Sequence, residues 1–213
     1  VSPWFFETGI GTGVVVRTYS TNFPNPPAPE SPISEGGEWV HNGTLWTKVD
    51  TTTNRAFGTQ DNTGAYDDSY AYLQGFPVNQ QCQGTIHKAS PSGTAIECEV
   101  LLRWLDTTSN ARGYECNLAY DGSYTEIVRW NGAFGDFTIL SHVNPGATPA
   151  NGDVLSAKII GTTITVFLNG VQINTATDST WSSGNPGMGF YKDNESTGSN
   201  TYCFSAYSAT GLP

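Results

Sequence analysis

Apolar and polar residues alternate with a period of two over much of this chain. The clearest case runs from 154 to 174, where Val154, Ala157, Ile159 and Ile160 lead into Thr163-Ile164-Thr165-Val166-Phe167-Leu168, then Asn169-Gly170, then Val171-Gln172-Ile173-Asn174. An Asn-Gly pair between alternating runs predicts a two-residue hairpin, because both central positions of a type I′ turn need positive φ. The same period predicts strands near 11–19, 46–49, 56–58, 69–73, 81–88, 95–105, 113–120, 125–130 and 137–142. A closing strand within 199–210 carries Phe204 and Tyr207 as expected core residues. Many short strands at turn-punctuated spacing predict an all-β fold, a β-sandwich of two antiparallel sheets.

Composition agrees with strands and turns. The chain has 213 residues with 24 Gly, 12 Pro and 26 aromatics (6 Trp, 10 Tyr, 10 Phe), and no amphipathic helix is visible. A length of this order suits one sandwich domain, expected over 35–213. It is preceded by an extension, 1–34, that holds the aromatic tip Trp4-Phe5-Phe6 and a Pro-rich connector at 21–34. That extension is expected to pack on the sandwich's own edge, with self-association through it as the alternative. The chain begins at Val1, consistent with a leader or initiator Met already removed.

Charge narrows the partners. Nine basic residues against 19 acidic give a net charge of −10, which argues against nucleic acid, since phosphate binding relies on Lys and Arg. No apolar run reaches the roughly 20 residues of a membrane span. Cys82, Cys98, Cys116 and Cys203 lack C-x-x-C spacing, so they read either as disulfide partners or as small buried hydrophobes. The expectation is an extracellular, secreted or particle-surface protein with at least one bridge.

Sorting strands by the period of two exposes an unusual second face. On 95–105, Ile96, Cys98, Val100, Leu102 and Trp104 share one side, expected to be core, and Glu97, Glu99, Leu101 and Arg103 the other. On 81–88, Gln81, Gln83, Thr85 and His87 lie opposite Cys82, Gly84 and Ile86; on 113–120, Glu115, Asn117 and Ala119 lie opposite Tyr114, Cys116, Leu118 and Tyr120. With these strands adjacent in one sheet, Gln83, His87, Glu97, Glu99, Arg103, Glu115 and Asn117 form one polar surface, which Arg129 joins from the next strand. Carboxylates, amides, Arg and His suit the hydroxyls of a polysaccharide or surface glycan. An outward sheet face is also polar simply because water touches it, and Glu97 or Glu99 opposite Arg103 or His87 would make ordinary cross-strand ion pairs.

Three further pieces carry a family resemblance. Gly152-Asp153-Val154, the hairpin from Ile164 to Gly170, and Gly184-Asn185-Pro186-Gly187-Met188-Gly189-Phe190 follow in the order "GD-V", "ITV-V-NG", "G-PG-GF". In this the chain resembles the concanavalin A-like lectin/glucanase (laminin-G-like) jelly rolls over roughly residues 35 to 210. The resemblance implies a jelly-roll β-sandwich whose concave sheet face is the usual home of a polysaccharide cleft.

Catalytic signals are thinner. Glu97 and Glu99 lie about 6–7 Å apart by strand rise, a spacing any i, i+2 pair in a strand gives. The E-x-D-x-x-E signature of many jelly-roll glucanases is absent, because Glu97-Cys98-Glu99-Val100 continues to Leu101-Leu102. Gln83, His87 and Arg103 loosely resemble the Q-x-H and R-x-E-L-R elements of alginate-type lyases, with altered spacing and the second element missing. No G-x-S-x-G elbow occurs, and His41, His87 and His142 are not at metal-ligand spacing. Asp61, Asp67 and Asp68 in an acidic loop could hold Ca²⁺, with a solvated turn as the simpler reading; no other cofactor is expected. The expected function is a lectin-like carbohydrate-binding module. The alternatives are a structural subunit of a virion or extracellular filament, and a polysaccharide hydrolase or lyase using Glu97 and Glu115 or His87.

Overall fold

A computed structural model describes residues 16–60, 68–89, 94–193 and 200–213. Fourteen strands and no helix form among these residues, in two layers. The back layer runs β12 (Val171–Thr177), β11 (Thr163–Leu168), β10 (Val154–Ile160), β5 (Gln80–Lys88) and β14 (Tyr202–Gly211), whose far edge takes both β1 (Thr18–Thr21) and β3 (Arg55–Gly58). The front layer runs β4 (Ser69–Tyr72), β13 (Asn185–Asp193), β6 (Thr94–Asp106), β7 (Asn110–Ala119), β8 (Thr125–Ala133) and β9 (Phe137–Val143). Between them β2 (Thr47–Thr52) pairs antiparallel with β3 and parallel with β4, joining the layers along one side. This is a two-layer jelly-roll β-sandwich, as the motif order implies.

The core lies between the layers. Ile96, Cys98, Val100 and Leu102 of β6 and Tyr114, Cys116 and Leu118 of β7 meet Cys82 and Ile86 of β5, Leu155 and Ile159 of β10, and Phe204 and Tyr207 of β14. Each fully buried aliphatic side chain contributes about 1.5–3 kcal/mol. The alternation therefore fixes which face of β6 and β7 looks inward. The Asn-Gly turn forms as its sequence demands, with φ of 52° at Asn169 and 78° at Gly170. Asn169 also ties two of the family motifs together: its Oδ1 accepts the Val154 amide at 2.9 Å and its Nδ2 donates to Asp153 Oδ1 at 2.8 Å.

Three expectations are corrected. First, β5 does not neighbour β6. It lies in the back layer between β10 and β14, so successive strands in sequence are split between sheets. Second, β6 carries a register shift between Leu102 and Leu105, with Arg103 at a φ of 49°. This bulge reverses the local parity, so Trp104 packs on the outer face against Tyr70, at 5.3 Å between rings, instead of in the core. Third, all four cysteines are free, buried thiols, so the expected bridge is not formed.

Residues 16–34 are built into the sandwich. β1 pairs with the far edge of β14, Phe23, Ala28 and Ile33 are buried, and the Thr51 amide donates to the Glu30 carbonyl at 2.9 Å. The aromatic tip Trp4-Phe5-Phe6 and the start of the first expected strand lie outside the described residues, as do Asp61 and Asp67.

Candidate functional site

The front layer's outer face holds the site. In the β13–β6–β7–β8 ladder Glu97 sits between Tyr191 and Ala119, Glu99 between Gly189 and Asn117, and Glu115 between Leu101 and Val128, while Asn117 pairs with Glu126. Alternation across four strands thus brings Glu97, Glu99, Glu115, Asn117 and Glu126 to one side. This side is not the open polar surface that the pattern suggests. Glu97 is 7% exposed, Glu99 1%, Glu115 5% and Asn117 2%. One end of the face is capped by a second apolar cluster in which Trp46, Tyr70 and Tyr72 meet Leu101, Trp104 and Trp130, so the carboxyls sit in a recess beside packed rings.

Gly189 explains how Glu99 fits. A Cβ at that position would stand 2.2 Å from Glu99 Oε2, so the carboxylate occupies space that only a glycine leaves open. Gly189 on β13 thereby makes room for the acidic group on the neighbouring strand.

One oxygen from each of Glu97, Glu99 and Glu115 lies within 4.8 Å of the others. Neutral donors hold two of the three. Trp130 Nε1 donates to Glu115 Oε2 at 2.6 Å, Asn117 Nδ2 donates to Glu115 Oε1 at 3.1 Å, and the Tyr124 hydroxyl donates to Glu97 Oε1. Asn117 is itself oriented by the Glu126 amide, which donates to its Oδ1 at 2.8 Å. Glu126 Oε1 meets His142 Nδ1 at 2.5 Å, and that imidazole stacks on Tyr124. Glu99 Oε1 is buried and has no hydrogen-bond partner among the described residues.

Electrostatics follow from burial. Glu97 is pushed up to about 8, first by burial and then by the Glu115 charge. Burial raises Glu115 to about 7 against the pull of the Trp130 and Asn117 hydrogen bonds. Glu99 is held well above the usual carboxylate range by burial, then by Glu115, Asp68 and Glu97. Without a balancing cation Glu97 and Glu115 share protons near neutral pH, and a protonated carboxyl can donate as well as accept.

A cavity of about 180 Å³ opens above them. Glu97, Glu115, Asn117 and Trp130 form its buried wall, and half-buried Asp68, Glu126, Phe137 and Tyr191 its rim. Other hollows differ in chemistry. A larger one, about 360 Å³, lies beside Pro32, His41, Trp46 and Lys48, and a shallow groove of about 80 Å³ crosses the back layer over Gln81, Gln83, Ser156 and Lys158. Neither brings several carboxyls together.

The remaining expected residues lie elsewhere. Gln83 and His87, on β5, point outward from the back layer, where Gln83 is flanked by Ser156 and Ser208. They therefore cannot act together with Glu97 or Glu115, which removes His87 from the catalytic alternative. Arg103 is turned by its bulge to the back layer, where its guanidinium donates to the carbonyls of Val78, Gly161 and Trp181 at 2.7–2.9 Å. Arg129 is on the opposite side of β8 from Val128 and Trp130 and pairs with Asp178 at 2.6 Å. Of the acidic loop, Asp68 reaches the cavity rim. Residues that the pattern did not single out are Tyr124, Glu126, Phe137 and Tyr191. The alternation of Glu126, Val128 and Trp130 on β8 was the available signal for extending the face.

The chain has the concanavalin A-like lectin/glucanase fold. No protein-family model matches the sequence, and no curated protein matches it. Among solved structures it is similar to a carbohydrate-binding module, CBM66 from Bacillus subtilis, at 15% identity and a TM-score of 0.56, covering 85% of this chain and 96% of that one. It is also similar to a native glycosidic hydrolase, at 13% identity and a TM-score of 0.56 over 94% of this chain and 100% of that one. A third neighbour is a beta-glucanase from Bacillus licheniformis, at 14% identity and a TM-score of 0.50, covering 94% and 96%. At such identities the likeness is one of fold. No helix among the described residues is long and apolar enough to cross a membrane.

Proposed function

We propose that this protein is a lectin-like glycan-binding module whose ligand enters the cavity over β6, β7 and β8. The observation that carries the reading is the convergence of Glu97, Glu115 and Asn117 with Trp130, Phe137 and Tyr191 around one hollow. Sugar rings need hydroxyl partners and flat apolar faces at once, and this wall supplies both. Phe137 and Tyr191, half-buried at the rim, offer the stacking faces, and the carboxyl and amide groups below offer hydrogen bonds. An extracellular or particle-surface location goes with this reading.

A glycan array followed by calorimetric titration of the best ligand tests it. Tyr191→Ala and Phe137→Ala should each weaken binding by at least about tenfold, in keeping with the loss expected for an aromatic anchor. A ligand whose affinity is unchanged in both variants, or an array without any retained glycan, contradicts the reading.

One observation supports polysaccharide hydrolysis as a second reading. Glu97 and Glu115 are two neighbouring carboxyls raised to about 8 and about 7, the range a general acid uses at neutral pH. A reducing-end assay on a polysaccharide panel separates the two. Turnover that falls by about 10²–10⁴ in Glu97→Gln would support hydrolysis, and its absence on every substrate would leave binding alone.

A further inference from the structure

The geometry points to a Ca²⁺ site formed by Glu97, Glu99 and Glu115. Three carboxyl oxygens within 4.8 Å of one another surround a common centre that is at most about 2.8 Å from each, close enough for one large divalent ion to reach all three. Calcium–oxygen bonds of about 2.3–2.6 Å approach that upper bound to within about 0.2 Å, whereas Mg²⁺ bonds of about 2.0–2.1 Å fall well short of it, so calcium is the better fit. The donors are all carboxylate oxygens, which suit hard cations and offer nothing that favours zinc or copper.

An acidic cluster alone would not single out a metal. Here a second observation does: Glu99, 1% exposed, keeps Oε1 buried without a hydrogen-bond partner among the described residues. A buried carboxylate oxygen left bare is costly. The ion pairs among the described residues involve Glu38, Asp50, Asp178 and Glu126, none of the three. The hydrogen bonds that do reach Glu97 and Glu115 come from a phenol, an amide and an indole, none of which carries charge. A divalent ion supplies what these donors do not.

The surroundings leave room for further ligands. Calcium takes about six to eight oxygens, and three carboxylates, each able to bind through one or both oxygens, furnish part of that number. Asp68 stands on the rim of the adjoining cavity, whose volume of about 180 Å³ has room for several waters at about 30 Å³ each. Bound at this point, the ion would hold Glu97 and Glu115, two walls of the cavity, in their ionised form. The site does not depend on the glycan reading, because ion binding is read without any sugar.

Chelator-treated protein at pH 8 would be titrated with Ca²⁺ by calorimetry and with Tb³⁺ by luminescence, using Trp130, hydrogen-bonded to Glu115, as the sensitiser. One saturable ion per chain, Trp-sensitised Tb³⁺ emission displaced by Ca²⁺, and a Ca²⁺-dependent rise in Tm are expected. Glu99→Gln should weaken binding by about tenfold or more while raising the Tm of the metal-free protein, since it relieves repulsion among the carboxyls. Glu97→Gln provides the same readout if the first variant does not fold. Asp61→Asn and Asp67→Asn serve as controls. No saturable binding of either ion, or binding lost in the loop variants yet intact in Glu99→Gln and Glu97→Gln, would overturn the assignment.

Discussion

Leu101 and Glu115 are register partners across β6 and β7, so the carboxyl missing from the third alternating position of β6 is supplied by the next strand. Glu97 and Glu99 come from one strand and Glu115 from its hairpin neighbour, and one oxygen of each lies within 4.8 Å of the others. A leucine in the strand therefore does not leave the face short of acid. It moves the third acid sideways, beneath Trp130.

Stability should fall as pH rises. Burial pushes Glu97 up to about 8 and Glu115 to about 7 in the fold, against 4.5 for a free glutamate, so the folded chain holds protons that the unfolded chain has released. Where the native state binds more protons, unfolding free energy decreases with pH. In metal-free buffer the contribution of these two is fully present below about pH 4.5 and is lost progressively up to about 8, opposite to the trend of a salt-bridged carboxylate, and Glu99, also raised by burial, acts in the same direction. Thermal melts from pH 5 to 9 should show this decline, and Glu97→Gln should flatten it and melt higher at pH 8. An increase in Tm across that window would contradict the placement of these groups.

Trp130→Phe should separate the indole hydrogen bond from the ring. The variant keeps an aromatic against Trp46 and Phe137 but leaves Glu115 Oε2 without its 2.6 Å donor. A cost of about 2 kcal/mol in urea unfolding is expected, together with a further rise in the Glu115 pKa. A neutral substitution would mean that the bond does not contribute.

Arg103→Ala should destabilise the sandwich without touching the ligand site. Its guanidinium satisfies the Val78, Gly161 and Trp181 carbonyls, which hold β6 to the back layer. Losing these bonds should cost about 3 kcal/mol, whereas the affinity of the folded protein for its glycan should be unchanged. Equal stability with weakened binding would return Arg103 to the recognition face.

Thiol chemistry checks the cysteines. In denaturant a thiol reagent should titrate all four, and in native buffer essentially none, because each is buried and Cys82 and Cys203 are raised to about 12. Reducing agent should leave Tm unchanged. Fewer than four thiols in the denatured chain would show that a bridge had formed.

The strands and the side of β6 and β7 that carries the acids were legible because a period of two survives wherever one face is buried. Ile96, Cys98 and Val100 on β6 and Cys116 and Leu118 on β7 mark the inner side without any knowledge of partners. Sheet order is not written in alternation. Gln83 and His87 have the same outward parity as Glu97, and only the pairing of β5 with β10 and β14 puts them on the other side of the molecule. Nor did the pattern reveal the bulge at Arg103, where one residue in a left-handed conformation exchanges the roles of Arg103 and Trp104. The burial of the acidic face was hidden for a different reason: the cap is built from Trp46, Tyr70 and Tyr72, which are distant in sequence from the strands they cover.

A crystal of the protein soaked with the best array ligand tests the central claim most directly. Sugar density should lie in the cavity, against Phe137 or Tyr191 and within hydrogen-bonding distance of Asn117, Glu97 or Glu115. Density confined to the back-layer groove over Gln81 and Gln83, with the front cavity holding only solvent, would contradict it.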